Sequence, residues 1–324
     1  DLDRMVIVVF GLTDAYPEAN LRHYTFMLEG LQETKAALAN RGIQRVLRIG
    51  PPPDVALALG NEAWLIVCDR GYLKHQRAWR RQLAGKARCR VVQVESDVIV
   101  PVEVVSPKAQ SPARTIRPKI HIHHNEYLKG LKKSVVKKSS LGLPVSGMQF
   151  ESMEEVLEGL QVDRNVPAVS AFLSGGTSQA KKQLTQFIRN RLKNYAQNSN
   201  QPQTDDISYM APYLHFVQIS PLYVALKVTQ APEALQPAKD AYIEELVVRR
   251  ELAMNFAYYI PDYDKYTCIP GWAAASLDDH RKDPREFIYT RRQLENAATH
   301  DPYWNAAMLE MKHTGFMHNY MRMY

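Results

Sequence analysis

Few residues in this sequence are spaced to do chemistry, and each has a plain structural reading beside the chemical one. Glu245 and Arg249 lie four apart in a stretch of helical spacing, so their side chains would meet across one turn. On a surface such a pair contributes only about 0.3–0.5 kcal/mol. Ser208 stands just ahead of a helix start, where free backbone N–H groups and a hydroxyl either cap the helix or hold a phosphate. Asp301-Pro302 reads as a helix start, Asp as N-cap and Pro at the first position, with Trp304 and Asn305 on the first turn. An isolated tryptophan there is most simply core packing. His121, His123 and His124 cluster without a carboxylate or cysteine partner at ligand spacing, so they read as loop histidines and no metal is expected. Cys68, Cys89 and Cys268 lie far apart, which argues against a disulfide framework and fits a reducing compartment.

Two kinds of element must position these residues. MVIVVF at 5–10 is a β-branched run typical of a strand covered on both faces. A helix over Leu21–Asn40, strands at Val46–Ile49, Ala63–Cys68 and Arg90–Val94, and helices at Asp54–Leu59 and Tyr72–Ala84 complete an alternation that means βαβ units and a parallel sheet. From Thr177 onward the spacing is helical: Ser178–Tyr195, Ser220–Val228, Ala238–Tyr259, Pro284–Asn296 and Pro302–Met311. Between them, prolines at 101, 107, 112 and 118 break long helices, a basic cluster (Lys129, Lys132, Lys133, Lys137, Lys138) follows, and one helix is expected near Met153–Leu160. The expected organisation is a Rossmann-like α/β domain over 1–120, a linker over 121–176 and an all-α domain over 177–324. The chain opens at Asp1, not methionine, and its last residues read as uncapped helix, so truncation at both ends is expected.

With 324 residues, 45% of them apolar, the chain can bury a core in each domain. A net charge of +7 favours a polyanionic partner, because lysines and arginines that neutralise phosphates release counterions. No apolar run approaches the roughly 18 residues of a membrane span and no targeting signal is seen, so a cytoplasmic monomer is expected.

Several segments in order carry a family resemblance. Ser208–Ser220 (SYMAPYLHFVQIS) resembles the SxxSPYLHFGQIS signature of class II deoxyribodipyrimidine photolyases, members of the photolyase/cryptochrome superfamily. So do Glu244–Phe256 (EELVVRRELAMNF), His280–Tyr289 (HRKDPREFIY), Thr299–Met308 (THDPYWNAAM) and Gly315–Tyr324 (GFMHNYMRMY). Upstream, Tyr16–Asn20, Arg22–Gly30, Val94–Asp97 and Arg114–Lys119 resemble the same family. Ala211 replaces the usual serine and Val217 the usual glycine.

The resemblance implies light-driven repair of cyclobutane pyrimidine dimers by electron transfer from reduced FAD to a flipped-out dimer in double-stranded DNA, a class of enzyme that extrudes its target base. It implies an antenna chromophore in the α/β domain. Ile207, Ser208, Tyr209, Met210 and Ala211 would hold the flavin dinucleotide's phosphates, with Tyr195, Asn305 and Arg322 as further flavin contacts. Trp304 would belong to the chain that passes electrons to the flavin. Glu245 would hydrogen-bond the dimer and steady its radical anion, which asks for a carboxyl raised by burial. Arg249, Arg250 and Glu251 would continue the DNA-contacting wall, with Asn319 near the dimer. Tyr195, Ser208, Trp304, Asn305 and Arg322 are expected to share one cavity, with Glu245 at its mouth. The rivals are a cryptochrome-like photoreceptor without repair, and a basic nucleic-acid binding module without flavin.

Overall fold

The β-branched run becomes β1 (Ile7–Leu12), and it pairs in parallel with β2 (Gln44–Ile49), Val9 opposite Val46. β3 (Leu65–Asp69) pairs in parallel with β4 (Arg90–Val94), Val67 opposite Val92. The computed structural model describes residues 3–323 apart from 133, 146 and 148–151; Asp1, Lys133 and Tyr324 lie outside the described residues. Helices α1 (Leu21–Ala39), α2 (Pro52–Gly60) and α3 (Lys74–Lys86) alternate with the strands. Among the described residues no strand follows β4, apart from an isolated bridge between Asn20 and Asp163. The fold class read from the sequence, α/β followed by all-α, is the one observed.

Two details differ. The strands form two separate two-stranded sheets where one sheet was expected. They are also only partly covered: Leu12 is buried, whereas Val67 is 58% exposed. α2 lies hard against β1, since a Cβ on Gly11 would stand 2.6 Å from Pro52 Cα, and α2 also packs on α3. The close approach exists because position 11 has no side chain.

The expected long helices are broken by turns of other pitch. Ser178–Tyr195 resolves into an α-helix (Thr177–Gln186), a π-helical turn (Phe187–Arg191) and a 3₁₀ turn (Leu192–Asn194). Ala238–Tyr259 resolves into an α-helix (Gln236–Ile243), a π-helical turn (Glu244–Arg249) and a second α-helix (Arg250–Tyr259). The second π turn coincides with Leu246, Val247 and Val248, three consecutive buried residues. An α-helical stripe seldom buries three in succession, and a widened turn brings them to one side. The expected Pro284–Asn296 helix shrinks to Arg291–Glu295, because Thr290 resets the start: its hydroxyl accepts the Gln293 N–H at 3.3 Å.

The main core joins Phe187, Leu192, Met210, Tyr213, Val224 and Val228 to Leu246–Val248. It also takes in Ile99, Val100, Ile116 and Ile120, all N-terminal to the boundary expected at 120. A second core packs α1 residues Tyr24 and Leu28 against Leu12, Leu47, Val156 and Leu160.

Val217 shows why a glycine is usual there. The Ala211–His215 helix ends in paired bonds, Gln218 N–H to Tyr213 O at 2.8 Å and Val217 N–H to Leu214 O at 3.3 Å, the Schellman pattern that needs a left-handed residue. Val217 fills that place at φ 54°, and its side chain is 58% exposed, so little burial offsets the strain. Val217→Gly is expected to raise stability by about 1 kcal/mol and the thermal midpoint by about 2–4 °C, read by thermal unfolding. A lowered midpoint would show that the β-branched residue is unstrained.

Candidate active site

The π turn at Glu244–Arg249 divides the charges of its motif between two faces. Glu245 and Arg249 point outward, 53% and 57% exposed, with Oε1 and Nε 3.8 Å apart. Glu244 stands between two arginines, its Oε1 3.6 Å from Arg249 Nε while it takes two bonds from Arg117, 2.9 Å from Nε and 2.7 Å from Nη2. Those bonds hold the Glu244 carboxyl below its usual range. Glu245 lacks the burial expected of it in the free protein.

Arg250 and Glu251, expected in the DNA-contacting wall, are engaged by partners inside the free protein. Arg250 donates to Asp97 O and Oδ1, both at 2.5 Å, and its side chain is only 17% exposed. Glu251 is 2% exposed and accepts the backbone N–H groups of Ile99 at 2.6 Å and Val100 at 3.4 Å. A carboxylate facing buried amides has no phosphate or base to meet. The same helix continues the clasp: Asn255 Oδ1 accepts the Gln110 N–H at 2.7 Å, and the Tyr259 hydroxyl donates to Ser106 O at 2.6 Å. Glu95 adds a second knot, accepting from Tyr72 at 2.8 Å, Arg70 at 3.0 Å and the Val102 N–H at 3.0 Å.

Behind Glu245 lies an aromatic cluster. Tyr195 meets Phe187 and Tyr242 edge-on at ring separations of 5.6 and 5.2 Å, and Phe187 and Tyr242 stand 4.8 Å apart. Burial is the main cause that pushes the Tyr195 hydroxyl upward, with the Glu245 charge adding to it. Burial pushes the Tyr242 hydroxyl up to about 12, against a lowering effect of the neighbouring Ser208. Tyr195, Tyr242, Ser208 and Glu245 are thus neighbours.

The Ile207–Ala211 segment has an unusual backbone. Tyr209 sits at φ 56° and Met210 at φ −82°, ψ −16°. Successive residues of opposite hand turn their N–H groups into one concavity, the geometry of an anion-holding nest. The Ser208 hydroxyl accepts the Met210 N–H at 3.3 Å, so it also acts as a local cap. Arg191 lies over the Tyr209 ring at 5.2 Å, and Phe316 meets that ring at 4.9 Å.

The C-terminal candidates have local partners. Asp301 Oδ1 caps the Pro302–Thr314 helix, accepting the Tyr303 N–H at 2.8 Å and the Trp304 N–H at 3.3 Å, as read from the sequence. Asn305 donates to Thr299 O at 2.8 Å and accepts from the Thr299 N–H at 3.0 Å, so its amide is engaged in that turn. Trp304 Nε1 is buried without a hydrogen-bond partner. Arg322 donates to Asn319 at 3.3 Å. Tyr195, Ser208, Trp304, Asn305 and Arg322 line neither of two cavities of the structure. One, of about 540 Å³, runs along His121, His124, Lys239 and Glu244; the other, of about 280 Å³, along Arg22, His23, Phe26 and His215.

A family model described as DNA photolyase matches residues 1–137. The chain is 45% identical over 323 residues to a deoxyribodipyrimidine photo-lyase of Methanothermobacter thermautotrophicus, covering all of this chain and 70% of that protein. The chain belongs to the deoxyribodipyrimidine photo-lyase family. A family member from Potorous tridactylus is 35% identical over 321 residues, covering 98% of this chain and 60% of that one. The crystal structure of a Synechocystis cryptochrome matches with a TM-score of 0.74 at 15% identity, covering 98% of this chain and 68% of that chain, which shows the fold alone.

With the family known, the partners among the family-like segments can be named. Val94–Asp97 supplies Asp97 to Arg250 of the 244–256 segment, and Arg114–Lys119 supplies Arg117 to Glu244. Arg22–Gly30 meets Ser208–Ser220 through Gln218, which donates to Phe26 O at 3.0 Å and accepts the Gly176 N–H at 2.6 Å. Gly30 permits this, since a Cβ there would lie 2.5 Å from Gln218 Nε2. Asp97, Arg117 and Tyr242 were missed as partners; only the acid and base left over in each segment hinted at them.

Burial is the larger cause at Glu251 and pushes its carboxyl from about 4.5 up to about 8, against the lowering effect of the Ile99 and Val100 amides. The folded protein therefore holds a proton that the unfolded chain releases above about pH 4.5. This group's contribution is full below that pH and is lost as pH rises toward 8. The thermal midpoint is expected to fall by roughly 5 °C or more between pH 5.5 and 8, and Glu251→Gln should remove most of that slope. An unchanged slope in the variant would assign the pH dependence to other groups.

Proposed function

We propose that the protein repairs cyclobutane pyrimidine dimers in double-stranded DNA in a light-driven reaction with reduced FAD. The observation that carries this reading is the 45% identity to a deoxyribodipyrimidine photo-lyase along the whole chain. In support, the Tyr209–Met210 turn offers backbone N–H groups suited to a dinucleotide's phosphates, beside the Ser208 hydroxyl. Ile207 to Ala211 would hold those phosphates, with Tyr195 behind them. Ala211 offers no hydroxyl, but the backbone donors do not depend on it. Bound there, reduced FAD supplies the photoexcited electron.

The residues of the chain do the rest. Arg249 stands exposed within 3.6–3.8 Å of Glu244 and Glu245, and it is placed to exchange them for a DNA phosphate. Glu245 is open to solvent in the free protein, so a dimer seated over it would supply the dehydration that raises a carboxyl and lets it donate a hydrogen bond. That donor would meet the dimer as its negative charge develops. Trp304, with its indole N–H unsatisfied, is the proposed relay for electrons. Asn305 and Arg322 remain proposed flavin contacts that must give up their present bonds, and Asn319 is proposed near the dimer. On the same family grounds we assign an antenna chromophore to residues 1–120, a linker to 121–176 and the flavin and DNA to 177–324. A monomer acting on chromosomal DNA in the cytoplasm is part of this reading. No helix among the described residues is long and apolar enough to cross a membrane.

Glu245→Ala is expected to leave flavin content unchanged and damaged-duplex affinity within about twofold, because phosphate contacts dominate binding. Repair per absorbed photon should fall about threefold or more, since a donor to developing charge is lost, and Glu245→Gln should fall less. The measurement is recovery of thymine absorbance from a dimer-containing duplex with reduced flavin. Equal yields for wild type and Glu245→Ala would leave the carboxylate as a surface partner of Arg249.

A further inference from the structure

The cavity of about 540 Å³ is used by nothing described so far. It opens between the Ala113–His121 helix, the His124–Tyr127 turn and the Gln236–Ile243 helix. Two polar groups from different elements line it without adequate partners. Lys239 is 7% exposed, and its ammonium donates one hydrogen bond, 3.1 Å to Ala231 O, with no carboxylate paired to it among the described residues. His124 Nε2 is buried and has no hydrogen-bond partner. The carboxylates of the wall are engaged elsewhere: Glu244 by Arg117, and Asp240 by the Gln236 amide at 2.6 Å. The His121 ring stands 4.9 Å from that of His124. Leu128, Ala241 and Ile243 are the apolar part of the wall, and Thr229 and Gln236 complete it.

Buried polar groups are normally satisfied, and a buried cation is normally paired. An ammonium without a carboxylate and an imidazole nitrogen without a partner, on a wall whose carboxylates are already engaged and which includes Leu128, Ala241 and Ile243, describe a ligand with an apolar portion and one oxyanion. We propose that this cavity binds a small organic oxyanion, a carboxylate or a phosphate monoester, whose anionic group is taken by Lys239 and His124. The site is independent of the flavin and DNA assignments, because none of those residues lines it.

The test is titration of the protein with phenyl phosphate and, separately, benzoate, followed by calorimetry and by the imidazole NMR signals of His124. At least one probe should bind saturably at a single site and shift those signals, and the arm that does so names the oxyanion. Lys239→Met and His124→Phe should each weaken it about tenfold or more, as loss of a charge-assisted hydrogen bond does. Phenol, with the same ring and no anion, should bind far more weakly. The proposal is overturned if neither probe saturates by about 10 mM, or if phenol binds as well as phenyl phosphate. It is equally overturned if a short duplex displaces the probe, which would give the site to a DNA phosphate. Should Lys239→Met fail to fold, its lysine is needed as the cap on Ala231 O, and His124→Phe with the wild-type signals decides the matter.

Discussion

Glu251 accepts the backbone N–H groups of Ile99 and Val100 from inside the protein, across 152 positions of sequence to Ile99. Taking a carboxylate out of water costs several kcal/mol, which is tolerable only where donors replace the water or a proton neutralises the charge. Here both operate: two amides point at the oxygens, and the carboxyl is raised far enough to keep its proton at neutral pH. Around that contact, Arg250 holds Asp97, Asn255 holds Gln110 and Tyr259 holds Ser106. The 95–110 segment is thereby fastened along one face of the Arg250–Tyr259 helix. Apolar contacts fill in beneath, with Tyr72, Val98 and Val102 against Met254, Ala257, Tyr258 and Tyr259.

Because that helix is fixed in rotation, so is the π turn that precedes it. With Glu251 and Asn255 turned inward, and with Leu246 to Val248 committed to the core, Glu245 and Arg249 are left facing solvent. The widened turn is the device that lets one short segment serve core, clasp and surface at once. Tyr195 and Tyr242 pack behind it. Structure and proposed repair chemistry therefore meet at the junction of the two helical registers.

Much of the architecture was legible in the residues. β-branched runs alternating with helical spacing gave the α/β part, and Asp301-Pro302 gave a helix start that the structure retains. The split into two small sheets was not legible, because which strands pair is a tertiary fact that the spacing of apolar residues does not carry. The end of the Arg291–Glu295 helix's expected extension was missed where Thr290 took over as cap. In the site, the family-like segments were visible one by one, but a single sequence does not say which segments touch. Arg250 and Glu251 therefore read as part of a charged surface, whereas in the free protein Arg250 answers Asp97 and Glu251 accepts two buried amides. The run Leu246-Val247-Val248 was the available signal of a non-α turn.

Amide hydrogen exchange at Ile99 and Val100 tests the clasp most directly. If Glu251 holds these two N–H groups inside the protein, they should exchange within about tenfold of the slowest amides in the Arg250–Tyr259 helix, although they lie outside any helix or strand. Exchange at the rate of a solvated loop, with the helix still protected, would show that the carboxylate does not hold them.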